Sequence, residues 1–530
     1  MYISGATFFA SMKKTHKNCL TGAFKKKGSN VMTTVHIKRA KKRAWLSFIL
    51  LPVIVITTLI VTGGAAPAEE INDIDITLEV RRRLQNDDGV SSEGIEVSAK
   101  NGIVTLKGSV EHLLARDRAV DIVATIKGIR SVINLLDVAP VARTDDQIRA
   151  DVMLALLDNP ATDLIEIDIA VSDGRVTLAG KVDSWQEEQL CVMAAKSVIG
   201  VKDLKSQINV SYKPNRPDQE IKADINNRLA YDVWVDDARI AVKVVRGHVI
   251  LSGAVGSLAE KKRASRNAYV AGVKSIEDDR LQVEWFFMRD RMRRSKAYGV
   301  KSDDEIAKAV NTSFSYDPRL SPSRIIVRVN NGIATLAGKV DNFKARRIAE
   351  EDARNTFGVW MVKNHLTVEP DLIPEPHPKP YRDIDLAKTV RLALLRNPYT
   401  HQHKIGVNVN NHRVMLDGTV RNKLMKAKAE DVASGVKGVV VVINNIKVER
   451  NWTPKNDSDI KTDIENELWW SVFVDEDDIA VTVKQGVATL VGVVDTLRER
   501  RAATVNAEEG GAKKVRNLLS VRYGPASLRP

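Results

Sequence analysis

The chain has 530 residues and a formal net charge of +14. This length allows several domains, and such a charge would favour a nucleic-acid partner if it were spread over the chain. However, residues 1–68 hold eleven Lys or Arg and no Asp or Glu, so residues 69–530 carry only +3 and no nucleic-acid partner is expected.

The basic region 1–44 leads into an apolar run at Trp45–Thr62, which is followed by the small residues Ala66-Pro67-Ala68. This layout predicts that residues 45–68 are a signal peptide or a membrane anchor. The apolar run is slightly shorter than the roughly 20 residues of a spanning helix, so both alternatives stay open. In either case the rest of the chain is exported, because the positive charges stay in the cytoplasm. Cys191 is alone in the exported part, which excludes an intramolecular disulfide there.

One short strand, "NGIVTLKGSV" at 101–110, returns five more times, starting at Asp173, Arg246, Asn331, Asn411 and Gln485. Repetition at intervals of 72 to 85 residues predicts small tandem modules. We place modules 1 to 6 at residues 71–139, 145–212, 218–284, 303–368, 382–449 and 457–523. An aromatic and basic linker (285–302) and a Pro-rich linker (369–381) separate modules 3, 4 and 5.

Each module opens with an Asp that is followed by apolar residues three, seven and eleven positions later. The six Asp residues are Asp73, Asp145, Asp218, Asp303, Asp383 and Asp457. This spacing predicts an amphipathic helix with one buried stripe, and it predicts that the Asp is the N-cap.

Two alternating strands follow, joined at Asn101-Gly102 and its counterparts by a tight turn that needs positive φ values. Module 5 has His412 in place of the turn glycine, so we expect its turn to be strained or differently shaped. On the second strand Gly108 and its counterparts fall in the core row, which predicts close packing of another element.

A second helix then ends at a glycine such as Gly272, and a third strand such as "VKNHLTV" completes the module. Asn134, Asn364, Asn444 and Asn517 recur in these third strands, where we expect them to satisfy backbone groups. Each module is thus predicted to be an α+β unit of order α-β-β-α-β, with two helices packed on a three-stranded sheet.

This order, with a central V-T-L-x-G-x-V strand and a glycine ahead of the last strand, resembles the BON (bacterial OsmY and nodulation) domain. The resemblance covers about residues 71–523. It implies attachment to membranes, generally through phospholipid binding, and roles in envelope integrity under osmotic stress. The export leader predicts a location in the periplasm or cell envelope. His412 and an extra residue near Ile276–Asp279 depart from the pattern locally.

The modules are also duplicated as a block. "LALLDNP" in module 2 recurs as "LALLRNP" in module 5, and module 3 resembles module 6 in the same way. We therefore expect modules 4 to 6 to copy modules 1 to 3. Because a domain of about 70 residues is close to the lower size limit for independent stability, we also expect neighbouring modules to pack together.

Two stretches are candidate lipid-binding surfaces. The first comprises Trp285, Phe286, Phe287, Arg289, Arg291, Arg293 and Arg294. Aromatic and basic side chains together suit an anionic bilayer surface, although a solvated basic linker would have the same composition. The second is Tyr231 with Trp470, which point away from the buried stripe if the helix continues, or fold into the core with Trp234 and Phe473 if it has ended.

We expect no enzyme activity, no cofactor and no small-molecule substrate, since so small a sheet offers little concavity for a catalytic site. His401, His403 and His412 could suit a metal, but no nearby Cys or carboxylate cluster joins them, and a polar loop is preferred. The leading hypothesis is a phospholipid-binding envelope protein. The alternative is a periplasmic protein-protein scaffold or chaperone-like stress protein that binds no lipid. Envelope proteins are further candidate partners.

Overall fold

The computed structural model describes residues 71–162, 166–211, 216–285, 301–320, 324–369, 382–449 and 455–522. The predicted leader, most of the linker 285–302 and nearly all of the linker 369–381 lie outside these ranges. Across the ranges themselves, no helix is both long enough and apolar enough to cross a bilayer.

The predicted order α-β-β-α-β is present in all six modules of this part of the chain. The first helices are α1 (Asp73–Asn86), α3 (Asp145–Leu157), α5 (Asp218–Tyr231), α7 (Asp303–Ser315), α9 (Asp383–Arg396) and α11 (Asp457–Trp470). The second helices are α2 (Leu113–Ala124), α4 (Trp185–Lys196), α6 (Leu258–Asn267), α8 (Phe343–Arg354), α10 (Lys423–Ser434) and α12 (Leu497–Glu509).

Each module also contains one hairpin and a third strand. The hairpins are β1 (Ile95–Lys100) with β2 (Ile103–Val110), β4 (Ile167–Ser172) with β5 (Arg175–Val182), β7 (Ile240–Val245) with β8 (His248–Val255), β10 (Ile325–Asn330) with β11 (Ile333–Val340), β13 (Gly406–Asn410) with β14 (Arg413–Asp417) and β15 (Thr419–Val420), and β18 (Ile479–Lys484) with β19 (Val487–Val494). The third strands are β3 (Ser131–Val138), β6 (Asp203–Val210), β9 (Ser275–Val283), β12 (Met361–Val368), β16 (Val441–Asn444) with β17 (Lys447–Val448), and β20 (Lys514–Asn517) with β21 (Ser520–Val521).

The repeated strand lies in the middle of each sheet. In module 1, β2 pairs antiparallel with β1 and parallel with β3. Alternate residues Val104 and Leu106 of β2 are fully buried, and they form one core with Val80 of α1 and Ala119 of α2. Both helices therefore cover the same face of the sheet.

The recurring Asp residue does not cap its helix, so that prediction was wrong. The N-cap is the preceding residue; in module 1, Asn72 accepts hydrogen bonds from Ile74 and Asp75. The Asp73 carboxylate instead accepts from the backbone N–H groups of Asn101 (2.7 Å) and Gly102 (2.9 Å) in the hairpin turn. The other five modules repeat this pair of bonds. The Asp therefore ties the start of the first helix to the turn.

The departure at His412 strains the turn without changing its shape. His412 has φ of 61° and still donates its N–H to Asp383, as the turn glycines do in the other modules. The core-row glycines are explained by a backbone contact: a Cβ on Gly108, where φ is +120°, would lie 1.9 Å from the carbonyl oxygen of Gly94. The close neighbour is thus the residue preceding the first strand of the same module.

The asparagines of the third strands satisfy backbone groups, as predicted. The Asn364 amide donates to the carbonyl of Arg346 on α8 and accepts from the N–H of Leu366. Asn444 and Asn517 make the same bonds in their modules. The extra residue of module 3 produces a register shift in the pairing of β8 with β9.

Modules 1 to 3 (block one) pack together through the first residue of each second helix. Leu113 of module 1 lies in the core of module 2, and Leu258 of module 3 lies in the core of module 1. Trp185 of module 2 donates its indole N–H to the carbonyl of Val273 in module 3 (2.9 Å). Every module of block one therefore contacts the other two.

Modules 4 to 6 (block two) repeat part of this pattern at equivalent residues. Phe343, the counterpart of Leu113, packs against the core of module 5. Lys423, the counterpart of Trp185, forms an ion pair with Glu508 of module 6 (3.4 Å). Equivalent positions are used, as the block duplication predicts.

The two blocks contact each other where helices end. In four places a backbone N–H that follows a second helix donates to a carbonyl at the end of a first helix in the other block. These bonds are Lys127 to Trp470, Ile199 to Arg396, Phe357 to Tyr231 and Lys437 to Asp158. Modules 1 and 6, 2 and 5, and 3 and 4 are thereby paired, so the expectation that modules pack together is confirmed.

Candidate functional site

The packing of the modules creates a cavity of about 890 Å³ that all six of them line. Block one contributes Asp117 and Arg118 of α2 among other residues, and block two contributes Lys344 of α8 and Arg396 of α9. We expected little concavity, which was wrong for the assembled chain because the space lies between modules rather than within one.

The charges around this central cavity cancel. Seven Arg or Lys and seven Asp or Glu line it, so it offers no net attraction to a charged ligand. Most of these groups are paired, for example Arg118 with Asp87 (2.6 Å) and Lys344 with Asp431 (3.2 Å). These ion pairs connect helices of different modules as well as neighbouring elements, which favours a structural role for the charged groups.

Burial changes the acidity of several groups near the cavity. Burial raises the pKa of Asp158, and its ion-pair partner Arg396 opposes that shift. Burial also raises the pKa of Tyr399 to about 12 and lowers the pKa of His112 to about 4. The His112 and Tyr399 rings meet edge to face at 4.7 Å between modules 1 and 5. At neutral pH both side chains are therefore uncharged.

The free cysteine and two loop histidines of the described ranges are buried or in contact with other groups. Cys191 is buried in the core of module 2, and burial raises the pKa of its thiol to about 12. His401 lies against the carbonyl of Pro398, and His403 lies against the sulfur of Met425. No group of three or more His, Cys, Asp or Glu in these ranges could hold a metal ion.

The predicted aromatic residues Tyr231 and Trp470 lie at contacts between the blocks. Both are half-buried, and their carbonyls accept the inter-block hydrogen bonds described above. Trp470 also packs against the core of module 1. Neither ring is freely exposed, because the helix ends are the places where the blocks meet. Their suggested neighbours Trp234 and Phe473 contact each other across modules 3 and 6, with ring centroids 5.0 Å apart.

The other predicted lipid-binding residues fall largely outside the described ranges. Trp285 is half-buried at the end of module 3. Phe286, Phe287, Arg289, Arg291, Arg293 and Arg294 are not among the described residues. Their role stays a prediction from the sequence.

The structure adds an apolar surface that the sequence argument did not single out. Leu154 and Leu157 of α3 are 36% and 48% exposed, and their counterparts Leu392 and Leu395 of α9 are 41% and 54% exposed. The recurrence of "LALL" was the available signal, since these positions fall outside the buried stripe. Asp158 and Arg396, which follow the two leucine pairs, form an ion pair, so the helix ends are adjacent.

A family model and a known relative both match the sequence of this chain. The sequence model of the BON domain matches residues 72–140, 144–212, 217–284, 302–370, 382–450 and 456–523. The chain is also 32% identical over 142 residues to Osmotically-inducible protein Y of Escherichia coli (strain K12). That alignment covers 26% of this chain and 71% of the relative.

Two solved structures of CdsD, a structural protein of the Type III secretion system of Chlamydia trachomatis, are weakly similar. One is 13% identical and covers 39% of this chain and 91% of its own; the other, the C-terminal domain, is 14% identical and covers 40% and 100%. Both have a TM-score of 0.11, which carries no structural or functional argument. The six sequence matches and the α-β-β-α-β modules show that this chain belongs to the BON domain family and carries six copies of the domain in tandem.

Proposed function

We propose that this chain is a non-enzymatic protein of the bacterial envelope whose modules bind phospholipid membrane surfaces. In this role it supports envelope integrity or osmotic stress tolerance. The similarity to an osmotically inducible relative supports the physiological part of the proposal. The predicted export leader supports the location.

The observation that carries the proposal is the exposed leucine surface, defined as Leu154, Leu157, Leu392 and Leu395. Large aliphatic side chains left in water at equivalent positions of two modules favour a surface that is covered in use. A fully buried Leu gains roughly 1.5–3 kcal/mol, so four partly inserted leucines would give useful affinity.

Electrostatic attraction would add to this apolar contact. The segment 285–302 is rich in Arg and aromatic residues, and each cation near an anionic surface contributes about 1 kcal/mol. Because modules 2 and 5 pack against each other, the four leucines would meet the membrane as a preorganised set rather than on independent domains.

Flotation of the protein with vesicles tests this proposal. We expect co-flotation with anionic vesicles that weakens at high salt. It should be lost when the four leucines of the exposed leucine surface are replaced by Gln, and reduced when Arg289, Arg291, Arg293 and Arg294 are replaced by Glu. The matched control replaces the equally exposed outer-sheet residues Ile133, Leu135, Ile326 and Val491 by Gln and should still float.

A protein-protein scaffold is the second candidate. It is favoured by the inter-block hydrogen bonds, in which BON modules recognise each other through backbone groups at helix ends. Failure of the wild-type protein to float with any vesicle, together with crosslinking to envelope proteins through the exposed leucine surface, would favour the scaffold over membrane binding.

A further inference from the structure

The contact between modules 3 and 1 of block one is tightly packed, whereas the equivalent contact between modules 6 and 4 of block two contains a cavity. In block one, Leu258 of module 3 lies in the core of module 1, and Lys262 pairs with Asp121 (2.5 Å). We call this the 3–1 junction. Its counterpart in block two is the contact between modules 6 and 4, which we call the 6–4 junction. There Leu497 is equivalent to Leu258, and Arg501 is equivalent to Lys262. Leu497 packs against its own core in module 6 and lines a cavity that faces module 4.

This cavity, the 6–4 pocket, has a volume of about 360 Å³ and lies within the size range of small-molecule sites. Its lining comes from modules 1, 3, 4 and 6 and combines apolar side chains with four arginines and Glu509. Module 4 contributes Phe357, Val359 and Trp360, and module 6 contributes Leu497, Ala502 and Val505.

The apolar walls are specific to the open junction. Four wall residues, Phe357, Trp360, Ala502 and Val505, occupy the positions that are Lys127, Arg130, Arg263 and Arg266 in block one. Four cationic side chains of block one thus correspond to two aromatic and two small aliphatic ones in block two. The exchange places aromatic and aliphatic walls beside the arginines of the pocket, which suits a ligand with an apolar part and an anionic part.

Two polar groups of the pocket, the Arg501 guanidinium and the Asn506 Oδ1 atom, have no partner in the part of the chain that the structure describes. Burial and the nearby Arg354 and Arg500 lower the pKa of Arg501, and the nearby Glu350 opposes that shift. Asn506 is 6% exposed, and its amide oxygen accepts no hydrogen bond. Both side chains line the pocket. Arg501 is exposed, so its guanidinium is accessible to an anionic ligand, and the charged lining of the pocket is four arginines against one glutamate.

We propose that the 6–4 pocket binds a single-chain anionic amphiphile, such as the carboxylate of a fatty acid. The apolar walls contact the chain, and Arg501 pairs with the anionic head group. Arg and carboxylate form a well-matched pair, because the planar guanidinium presents several donors toward the two oxygens.

The 6–4 pocket is separate from the surface that we propose binds the membrane. The exposed leucine surface lies on α3 and α9, whereas the pocket lies between modules 4 and 6. A protein that fails to float with vesicles can therefore still bind the amphiphile, and a protein with an empty pocket can still float.

Calorimetric titration of the full chain with sodium laurate, below the concentration at which laurate forms micelles, tests the proposal. We expect saturable binding at one site. Sodium acetate and inorganic phosphate, which lack the chain, should give no binding, and dodecyl maltoside, which lacks the charge, should bind at least roughly tenfold more weakly.

Two variants and two controls make the test specific. Arg501→Glu removes the head-group contact, and Val505→Trp fills the pocket; each should weaken laurate binding at least roughly tenfold. Lys262→Glu makes the same change at the closed 3–1 junction and should leave laurate affinity unchanged, as should the leucine variants of the exposed surface. Laurate affinity that is the same in the wild type, Arg501→Glu and Val505→Trp overturns the proposal, as does equal affinity for laurate and acetate.

Discussion

The 3–1 and 6–4 junctions join equivalent modules of two copied blocks, yet only one is sealed. At the 3–1 junction a leucine enters the neighbouring core and a Lys–Asp pair closes the contact. At the 6–4 junction the equivalent leucine leaves a cavity, and Arg501 faces Arg354. Duplication preserved the arrangement of the modules while the residues between them diverged, so one copy became free to take on a binding role.

The largest expected difference between the junctions is the loss of stability when Leu258 or Leu497 is replaced by Ala. Leu258 is 9% exposed within the core of module 1, so Leu258→Ala should lower the free energy of unfolding by roughly 2–5 kcal/mol. Leu497→Ala enlarges an existing cavity instead and should cost about 1 kcal/mol. Urea denaturation of both variants measures the two losses. Equal losses would contradict the contrast between a closed and an open junction.

A second difference concerns pH, because block one caps α2 with His112 where block two caps α8 with Asn342. Neutral His112 accepts the N–H of Ala115, and burial holds its pKa at about 4, below the ordinary 6.5. As pH falls from 6.5 to 4, the unfolded chain binds a proton that the folded chain does not. Stability should therefore decrease across this window by up to about 3 kcal/mol and level off below it.

The variant His112→Asn installs the block-two cap and removes this titration. Its free energy of unfolding should change less than that of the wild type between pH 7 and pH 4.5, measured by urea denaturation at each pH. Asn342→His in module 4 is the reciprocal variant and should gain a pH dependence. If the wild type and His112→Asn have the same pH profile, His112 does not control acid stability.

A third difference lies in the hairpin turns of modules 2 and 5. His412 adopts φ of 61° where the counterpart Gly174 has φ of 73°, and a side chain in this region is strained. His412→Gly should raise the free energy of unfolding by roughly 1 kcal/mol, partly offset by the greater chain entropy of glycine. Gly174→His should have the opposite effect. A shift in melting temperature of the same sign in both variants would show that the turns are not equivalent.

The sequence was sufficient for the module fold because each element must bury one face. The spacing of Ile76, Val80 and Leu84 and the alternation around Val104 and Leu106 specify which side of each helix and strand is apolar. The role of Asp73 was missed because a capping Asp and a turn-binding Asp occupy the same kind of position near a helix start. Only the arrangement in space distinguishes them.

The contacts between modules could not be predicted in the same way. The pairing of Lys127 with Trp470 joins residues far apart in sequence through backbone groups, which carry no residue-specific signal. The sequence contains part of the signal for the 6–4 pocket. When the two blocks are aligned, Phe357 and Trp360 fall at the positions of Lys127 and Arg130. The exchange of charged for aromatic residues indicates a changed surface but not which module faces it.

The smallest expected effect has opposite signs at the two junctions. Lys262 is partly exposed and pairs with Asp121, so Lys262→Ala should lower the free energy of unfolding by a few tenths of a kcal/mol at low salt. Arg501→Ala removes a cation that faces Arg354 and has no partner among the described residues, so it should be neutral or slightly stabilising.

Melting temperatures of the two alanine variants, measured at low and high salt, test this sign difference. Salt screens both interactions, so the two variants should approach the wild type as ionic strength rises. If Arg501→Ala is as destabilising as Lys262→Ala, Arg501 contributes to cohesion of the fold. Arg501 would then not be available to bind a ligand. The 6–4 junction would be a less tightly packed form of the 3–1 junction instead of a binding site.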